Sequence, residues 1–199
     1  MSKRSFSPVS VNSTLRSAAL YKADQETTFM PRLHVCSLAL IAETVDKTGA
    51  RSLVTLLSPG TEIERPIAIH PARHLHLAVS DIVEATPGQV LPDASHLDEL
   101  LGFVHSWDRT EPMLIHCFAG ISRSTAAAYI AACALAPKRD EFAIARSLRA
   151  ASPTASPNTL LVALADDALG RRGRMNEAVA EIGRGQECFE GQPFALELN

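Results

Sequence analysis

No apolar run in these 199 residues approaches the roughly 18 that a membrane-spanning helix needs. Lys3 and Arg4 stand near the start, but no apolar segment follows them, so no secretory signal is legible. No Cys-x-x-Cys pair occurs, and Cys36, Cys117, Cys133 and Cys188 are widely spaced. That spacing argues against a disulfide framework and predicts free thiols in a reducing compartment. Lysine is scarce, four against 15 arginines, yet the 19 basic residues meet 22 acidic ones for a net charge of −3. So balanced a chain lacks the electrostatic footprint of a nucleic-acid binder. What remains is an ordinary globular composition, 46% hydrophobic and 21% charged, with enough apolar material for a core. The expectation is a soluble cytoplasmic protein with neither membrane nor nucleic acid as partner.

Residues 1–30 are rich in Ser and Thr and hold no sustained period, which predicts a flexible leader. From Pro31 the pattern sharpens into a domain expected to run from residue 31 to 170. Leu33 to Cys36 reads as a short strand, and Leu38, Ile41, Ala42 and Val45 then recur at helical spacing until Gly49. Residues 52–57 form a buried strand stopped by Ser58-Pro59-Gly60. Leu75, Leu77 and Val79 alternate with His74, His76 and Ala78, a period-2 strand that runs into Ser80-Asp81. Asp93 stands at the N-cap of a helix whose stripe is Leu97, Leu100, Leu101, Val104 and Trp107, the tryptophan included in the core. Met113 to His116 is the next strand, followed by a helix of small apolar residues from Ser124 to Ala136 that Pro137 stops. Further helices are predicted near 140–151 and 158–169, the latter capped by Asn158. Residues 171–199, with four glycines and Pro193, are expected to be a tail with at most one short helix. Strands alternating with helices predict an α/β fold with a mainly parallel central sheet and helices on both faces.

Chemistry concentrates in residues 113–126, Met-Leu-Ile-His-Cys-Phe-Ala-Gly-Ile-Ser-Arg-Ser-Thr-Ala. Cys117 and Arg123 are six apart, with His116 before the cysteine and Ser124 after the arginine. Spacing alone is weak, because Cys133 and Arg139 share it. That second pair runs down a helix and across Pro137 with no glycine between its members, so it cannot form a compact loop. The first pair lies between a strand and a helix, where backbone N–H groups converge on an anion and the helix dipole adds positive potential. Gly120 lets the backbone turn where a Cβ would obstruct it. Arg123 presents a planar fork suited to two phosphate oxygens, and the same field stabilises a thiolate at Cys117.

His116-Cys117-Phe118-Ala119-Gly120-Ile121-Ser122-Arg123-Ser124 resembles the signature loop of the protein tyrosine phosphatase superfamily, and most of all its dual-specificity branch, which favours Ser before the arginine. The resemblance extends over roughly residues 50–165, including Pro157-Asn158 at the head of the last helix. It implies a phosphomonoester hydrolase in which Cys117 attacks phosphorus while Arg123 and the backbone of Phe118, Ala119, Gly120, Ile121 and Ser122 hold the oxygens. It further implies that His116 helps to set the thiolate, that Ser124 helps the phosphocysteine break down, and that no metal or cofactor takes part. A leaving group needs a proton, which the family supplies from an aspartate on a loop. Asp81 is the choice, ending the strand with Leu75–Val79 at the family's distance before the nucleophile. Glu84, Asp93 and Asp98 compete, with Asp93 explained as a cap and Asp98 as a solvated helix charge. The implied substrate is a phosphorylated protein. The same mechanism on an inositol phosphate or an RNA 5′-phosphate stays open, although Phe118 and Ile121 are apolar where phosphoinositide enzymes often carry lysine. A non-catalytic module that binds phosphorylated partners is a third reading, opposed by the joint presence of Cys117, Arg123 and Asp81.

Other signals read as structure. His74 and His76 fill one face of their strand and His70 a loop, with no paired acid or cysteine to complete a metal site. Arg139, Arg146, Arg149, Arg171, Arg172 and Arg174 read as a solvated basic face. Cys36 reads as a buried strand thiol, with a protective disulfide to Cys117 as the weaker alternative.

Overall fold

The structure, a computed structural model, describes residues 32–198; the leader expected over residues 1–30 lies outside the described residues. Five strands, β1 (Arg32–Ser37), β2 (Ser52–Leu57), β3 (His74–Ala78), β4 (Met113–Cys117) and β5 (Phe194–Glu197), form one sheet in the order β3-β2-β4-β1-β5. The first four are mutually parallel and β5 runs antiparallel to β1. The α/β fold with a mainly parallel sheet is therefore present as expected. Every residue of β2 and β4 is buried, which fits their largely apolar runs, interrupted by Ser52, Thr55 and His116, at the centre of a covered sheet.

The helices divide unequally between the two faces. One face carries α1 (Ile41–Thr48), entered through a turn at Leu38–Leu40 and ended by Gly49 in the left-handed region at φ 70°. Its core joins Ile41 and Val45 to Cys36, Leu53, Ile69 and Leu114. The other face carries α2 (Ala94–Ser106), α3 (Arg123–Leu135), α4 (Glu141–Ala151), α5 (Thr159–Ala168) and α6 (Arg174–Ile182). Asp93 begins α2 with a capping box, accepting from the Ser95 and His96 amides, and Trp107 closes it with its ring in the core. Helix α3 is the hub. Twelve of its residues are buried, and its alanines let β1, β4, α2, α4 and α5 all approach it closely.

The segment after residue 170 corrects one expectation. It contains the short helix, α6, whose Met175, Ala178 and Val179 enter the main core, and it also contains a strand. β5 exists because the outer edge of β1 offers unpaired N–H and C=O groups, which Phe194–Glu197 satisfies while burying Leu196. Arg171 joins the segment to the bundle: its guanidinium donates to Glu141 Oε1 at 2.8 Å and to the Cys133 carbonyl at 2.7 Å. Among the described residues, no helix is long and apolar enough to cross a membrane.

Candidate active site

β4 ends at Cys117, α3 begins at Arg123, and the intervening turn is built around Gly120. Gly120 has φ 72°, and a Cβ there would lie 2.9 Å from both Cys36 C and Ser37 N, so the turn is seated against the backbone end of β1. Four of its carbonyls face outward onto neighbouring chain. Phe118 O accepts from the Leu38 amide, Ala119 O from Gly191, Ile121 O from Ser156, and Ser122 O from Asn158 as well as from Ala126 of its own helix. Because a trans peptide sets each C=O opposite the next N–H, the amides of Ala119, Gly120, Ser122 and Arg123 turn the other way, into the loop. Converging amides at the N-terminus of a 13-residue helix make an anion cradle.

Cys117 forms the floor of that cradle, and its Sγ lies 3.1 Å from Ser124 Oγ in the first turn of α3. Arg123 is buried beside it, with Nη1 donating to the Val79 carbonyl at 2.9 Å. Its Nε is buried without a hydrogen-bond partner among the described residues, the Asp81 carboxylate standing 3.9 Å away. An orphaned buried donor on a charged group costs about 1–3 kcal/mol or more, which an anion's oxygen would relieve. Asp81 follows β3 as expected and is held from two sides. Its Oδ1 accepts from Ser122 Oγ at 2.7 Å and from Asn158 Nδ2 at 2.9 Å. His116 is fully buried, its Nε2 2.7 Å from Thr55 Oγ1 and its Nδ1 3.4 Å from the Cys117 carbonyl; burial pushes its pKa down to about 4.

The structure thus brings together Cys117, Arg123, Ser124, His116 and Asp81, with Phe118, Ala119, Gly120, Ile121 and Ser122 as the turn. Phe118 is 65% exposed at its rim. Of the competing acids, Asp93 and Asp98 stand apart from this cluster. Asp93 is occupied as a cap that holds its carboxyl down to about 2, and Asp98 is exposed on α2. Glu84 lines a cleft of about 960 Å³ beside the turn, together with Asp81, Ser122, Asn158, Val179 and Arg184. Cys133 is buried within α3, where its thiol is pushed up to about 12, and Arg139 points instead to the Glu197 carbonyl and Ser147. Cys36 pairs in register with His116 and belongs to the α1 core, whereas Cys117 belongs to the core of the other face. The two thiols leave the sheet in opposite directions, an arrangement unsuited to a disulfide. His70 Nδ1 accepts from the Ala72 amide, and His74 and His76 stack on one another.

Several contributors escape sequence reasoning. Asn158 is legible as a cap, which its Oδ1 performs for Leu161, but its second bond to Asp81 spans 77 positions. Thr55 reads only as part of an apolar strand. The strap from Gly183 to Gly191 closes over the back of the turn, with Gly191 donating to Ala119 O and Glu190 accepting from Ser37 Oγ.

No protein-family model matches the chain, and no curated protein sequence matches it. Solved structures do. The crystal structure of DUSP15 matches with a TM-score of 0.55 at 18% identity, over 78% of this chain and 93% of that one. Human DUSP28 matches with a TM-score of 0.53 at 17% identity, over 75% and 94%. The PTP-2 phosphatase of Cydia pomonella matches with a TM-score of 0.53 at 21% identity, over 68% and 84%. The chain has the dual-specificity form of the protein tyrosine phosphatase fold.

Proposed function

We propose that the protein is a metal-independent phosphomonoester hydrolase acting through a phosphocysteine at Cys117, with phosphorylated protein as its substrate. The observation that carries this reading is the buried, unpartnered Nε of Arg123, set beside an amide-lined turn whose floor is a cysteine sulfur. In the first step Cys117 Sγ forms a bond to phosphorus as the ester P–O bond breaks, and Asp81 gives its proton to the departing oxygen. Arg123 and the turn amides hold the three remaining oxygens, where charge accumulates in transfer. In the second step water attacks phosphorus, Asp81 takes its proton, and the S–P bond breaks with Ser124 Oγ–H donating to the sulfur it already meets at 3.1 Å. His116, neutral because it is buried, orients the Cys117 peptide rather than supplying charge.

Phosphotyrosine, with phosphoserine and phosphothreonine as further candidates, is the proposed substrate residue, supported by the aromatic Phe118 at the rim and the absence of lysine in the turn. The test is hydrolysis of aryl phosphate and phosphopeptides in EDTA by wild type and Cys117→Ser. Turnover by wild type alone, with vanadate still binding Cys117→Ser, supports the reading. Full activity in Cys117→Ser, or loss of wild-type activity in EDTA, overturns it.

A further inference from the structure

Behind His116 lies a chain of polar side chains that the two-step mechanism does not use. Thr55, on β2, pairs in register with His116 on one side and His76 on the other, so these side chains share one face of the sheet. Its hydroxyl is fully buried and meets two imidazoles at once, His116 Nε2 at 2.7 Å and His74 Nε2 at 2.8 Å. A hydroxyl owns one proton and two lone pairs, so it donates to at most one ring, and which ring that is depends on the tautomers. The direction is decided at the far end. His116 Nδ1 faces the Cys117 carbonyl at 3.4 Å, where an N–H is attracted and a lone pair repelled. His116 therefore carries its proton on Nδ1 and accepts at Nε2 from Thr55, which in turn accepts from His74 Nε2–H.

We propose that Thr55 and His74 are positioning residues that lock the tautomer of His116 and, through it, the peptide joining Cys117 to Phe118. With the Cys117 carbonyl held by His116, the opposed Phe118 N–H turns into the anion cradle. This inference rests on the phosphatase reading only for its effect on Cys117; the tautomer itself is independent of that reading. Both rings are neutral near pH 7, since burial lowers His116 and His74 alike to about 4. The other groups around the chain are His76, stacked on His74 with ring centroids 6.0 Å apart, Arg65 near His74, and Cys36, Cys117 and Arg123 around His116. Among the described residues no carboxylate hydrogen-bonds to either ring, so the orientation rests on Thr55.

The test is ring-nitrogen NMR of the labelled protein near neutral pH, which separates Nδ1–H from Nε2–H imidazoles, combined with the rate at which iodoacetamide alkylates Cys117. Wild type should show His116 as Nδ1–H and His74 as Nε2–H. Thr55→Val should release His116 to the Nε2–H form or a mixture and slow alkylation and kcat/KM by about tenfold. Thr55→Ser, which keeps the hydroxyl, should restore both. His74→Phe, at a half-exposed position, should give a smaller loss with partial tautomer mixing, and it keeps the test alive if Thr55→Val fails to fold. An Nε2–H His116 in wild type, or an unchanged tautomer in folded Thr55→Val or His74→Phe, overturns the proposal. Wild-type Cys117 no more reactive than exposed Cys188 would contradict the phosphatase reading, while the ring signals would still decide the tautomer claim.

Discussion

The Ser122 hydroxyl, part of the anion-binding turn, donates to Asp81 Oδ1 at 2.7 Å. The segment proposed to grip the phosphoryl group therefore also holds the carboxyl proposed to protonate the leaving oxygen. Asn158 completes the clamp from the head of α5, so two stretches far from Asp81 in sequence set its carboxylate. Asp81→Asn should lower turnover of phenyl phosphate by ~10²–10⁴-fold and cost far less with a strongly acidic phenol as leaving group. Ser122→Ala and Asn158→Ala keep the acid but loosen it, and should each cost about three- to tenfold on the poor leaving group. Asp93→Asn should leave leaving-group dependence unchanged and cost under about 1 kcal/mol of stability. A steeper dependence in Asp93→Asn and none in Asp81→Asn would reassign the acid.

Arg123 offers two kinds of contact that lysine cannot reproduce together: Nη1 anchors on the Val79 carbonyl while Nε keeps a donor free among the described residues, 3.9 Å from the Asp81 carboxylate. Arg123→Lys should reduce kcat by ~10²-fold or more, with a smaller change in KM. Steady-state kinetics on an aryl phosphate decide it, and a near-wild-type kcat would reduce the guanidinium to a counterion.

Gly120 and Gly88 share a left-handed backbone, φ 72° and 75°, but differ in their surroundings. A Cβ at Gly88 meets open space, whereas one at Gly120 meets the backbone of Cys36 and Ser37. Gly88→Ala should cost about 1 kcal/mol from conformation alone. Gly120→Ala should cost more and should abolish vanadate binding, because neither β1 nor the turn can withdraw. Thermal unfolding and vanadate titration of both variants check this; equal, small losses would contradict the packing described.

The buried histidines give stability a defined pH dependence. His116 has an ordinary value of 6.5 and is lowered by burial to about 4, so between these limits the unfolded chain binds more protons than the folded one. Stability is therefore complete above pH 6.5 and is lost as pH falls toward 4, by about 3 kcal/mol at most for His116. His74 moves in the same direction and adds less, being half-exposed. Urea unfolding should show a falling free energy across this window. A flat profile would mean that neither ring is held neutral.

The cysteines should divide by reactivity. Burial pushes Cys36 and Cys133 up to about 12, and both are enclosed in the core, so they should react only on unfolding. Cys117, with Ser124 Oγ and the turn amides beside its sulfur, should be alkylated ahead of exposed Cys188. Peptide mapping after brief alkylation reads the order directly; early labelling of Cys133 would restore its pairing with Arg139.

What was legible in the sequence is what depends on neighbours along the chain. The strand before Cys117, the turn at Gly120, the caps Asp93 and Asn158, and the alanine-rich α3 all follow from local chemistry. The contacts formed across the fold are another matter. Phe194–Glu197 has no strong strand pattern and pairs only because β1 presents an open edge. Thr55 sits in a run of leucine and valine, and its role appears only when the sheet places it between His116 and His74. The Asp81 clamp likewise required the loop before α5 to close over the turn, a distance no periodicity reports.

The most direct measurement of the central claim is a rapid acid quench of the Asp81→Asn protein during turnover of an aryl phosphate with a strongly acidic phenol, followed by mass mapping of its peptides. The account predicts a phosphoryl group on the peptide containing Cys117, absent from Cys117→Ser and unaffected by EDTA. Turnover without any adduct on Cys117, or a phosphoryl group on another residue, would contradict it.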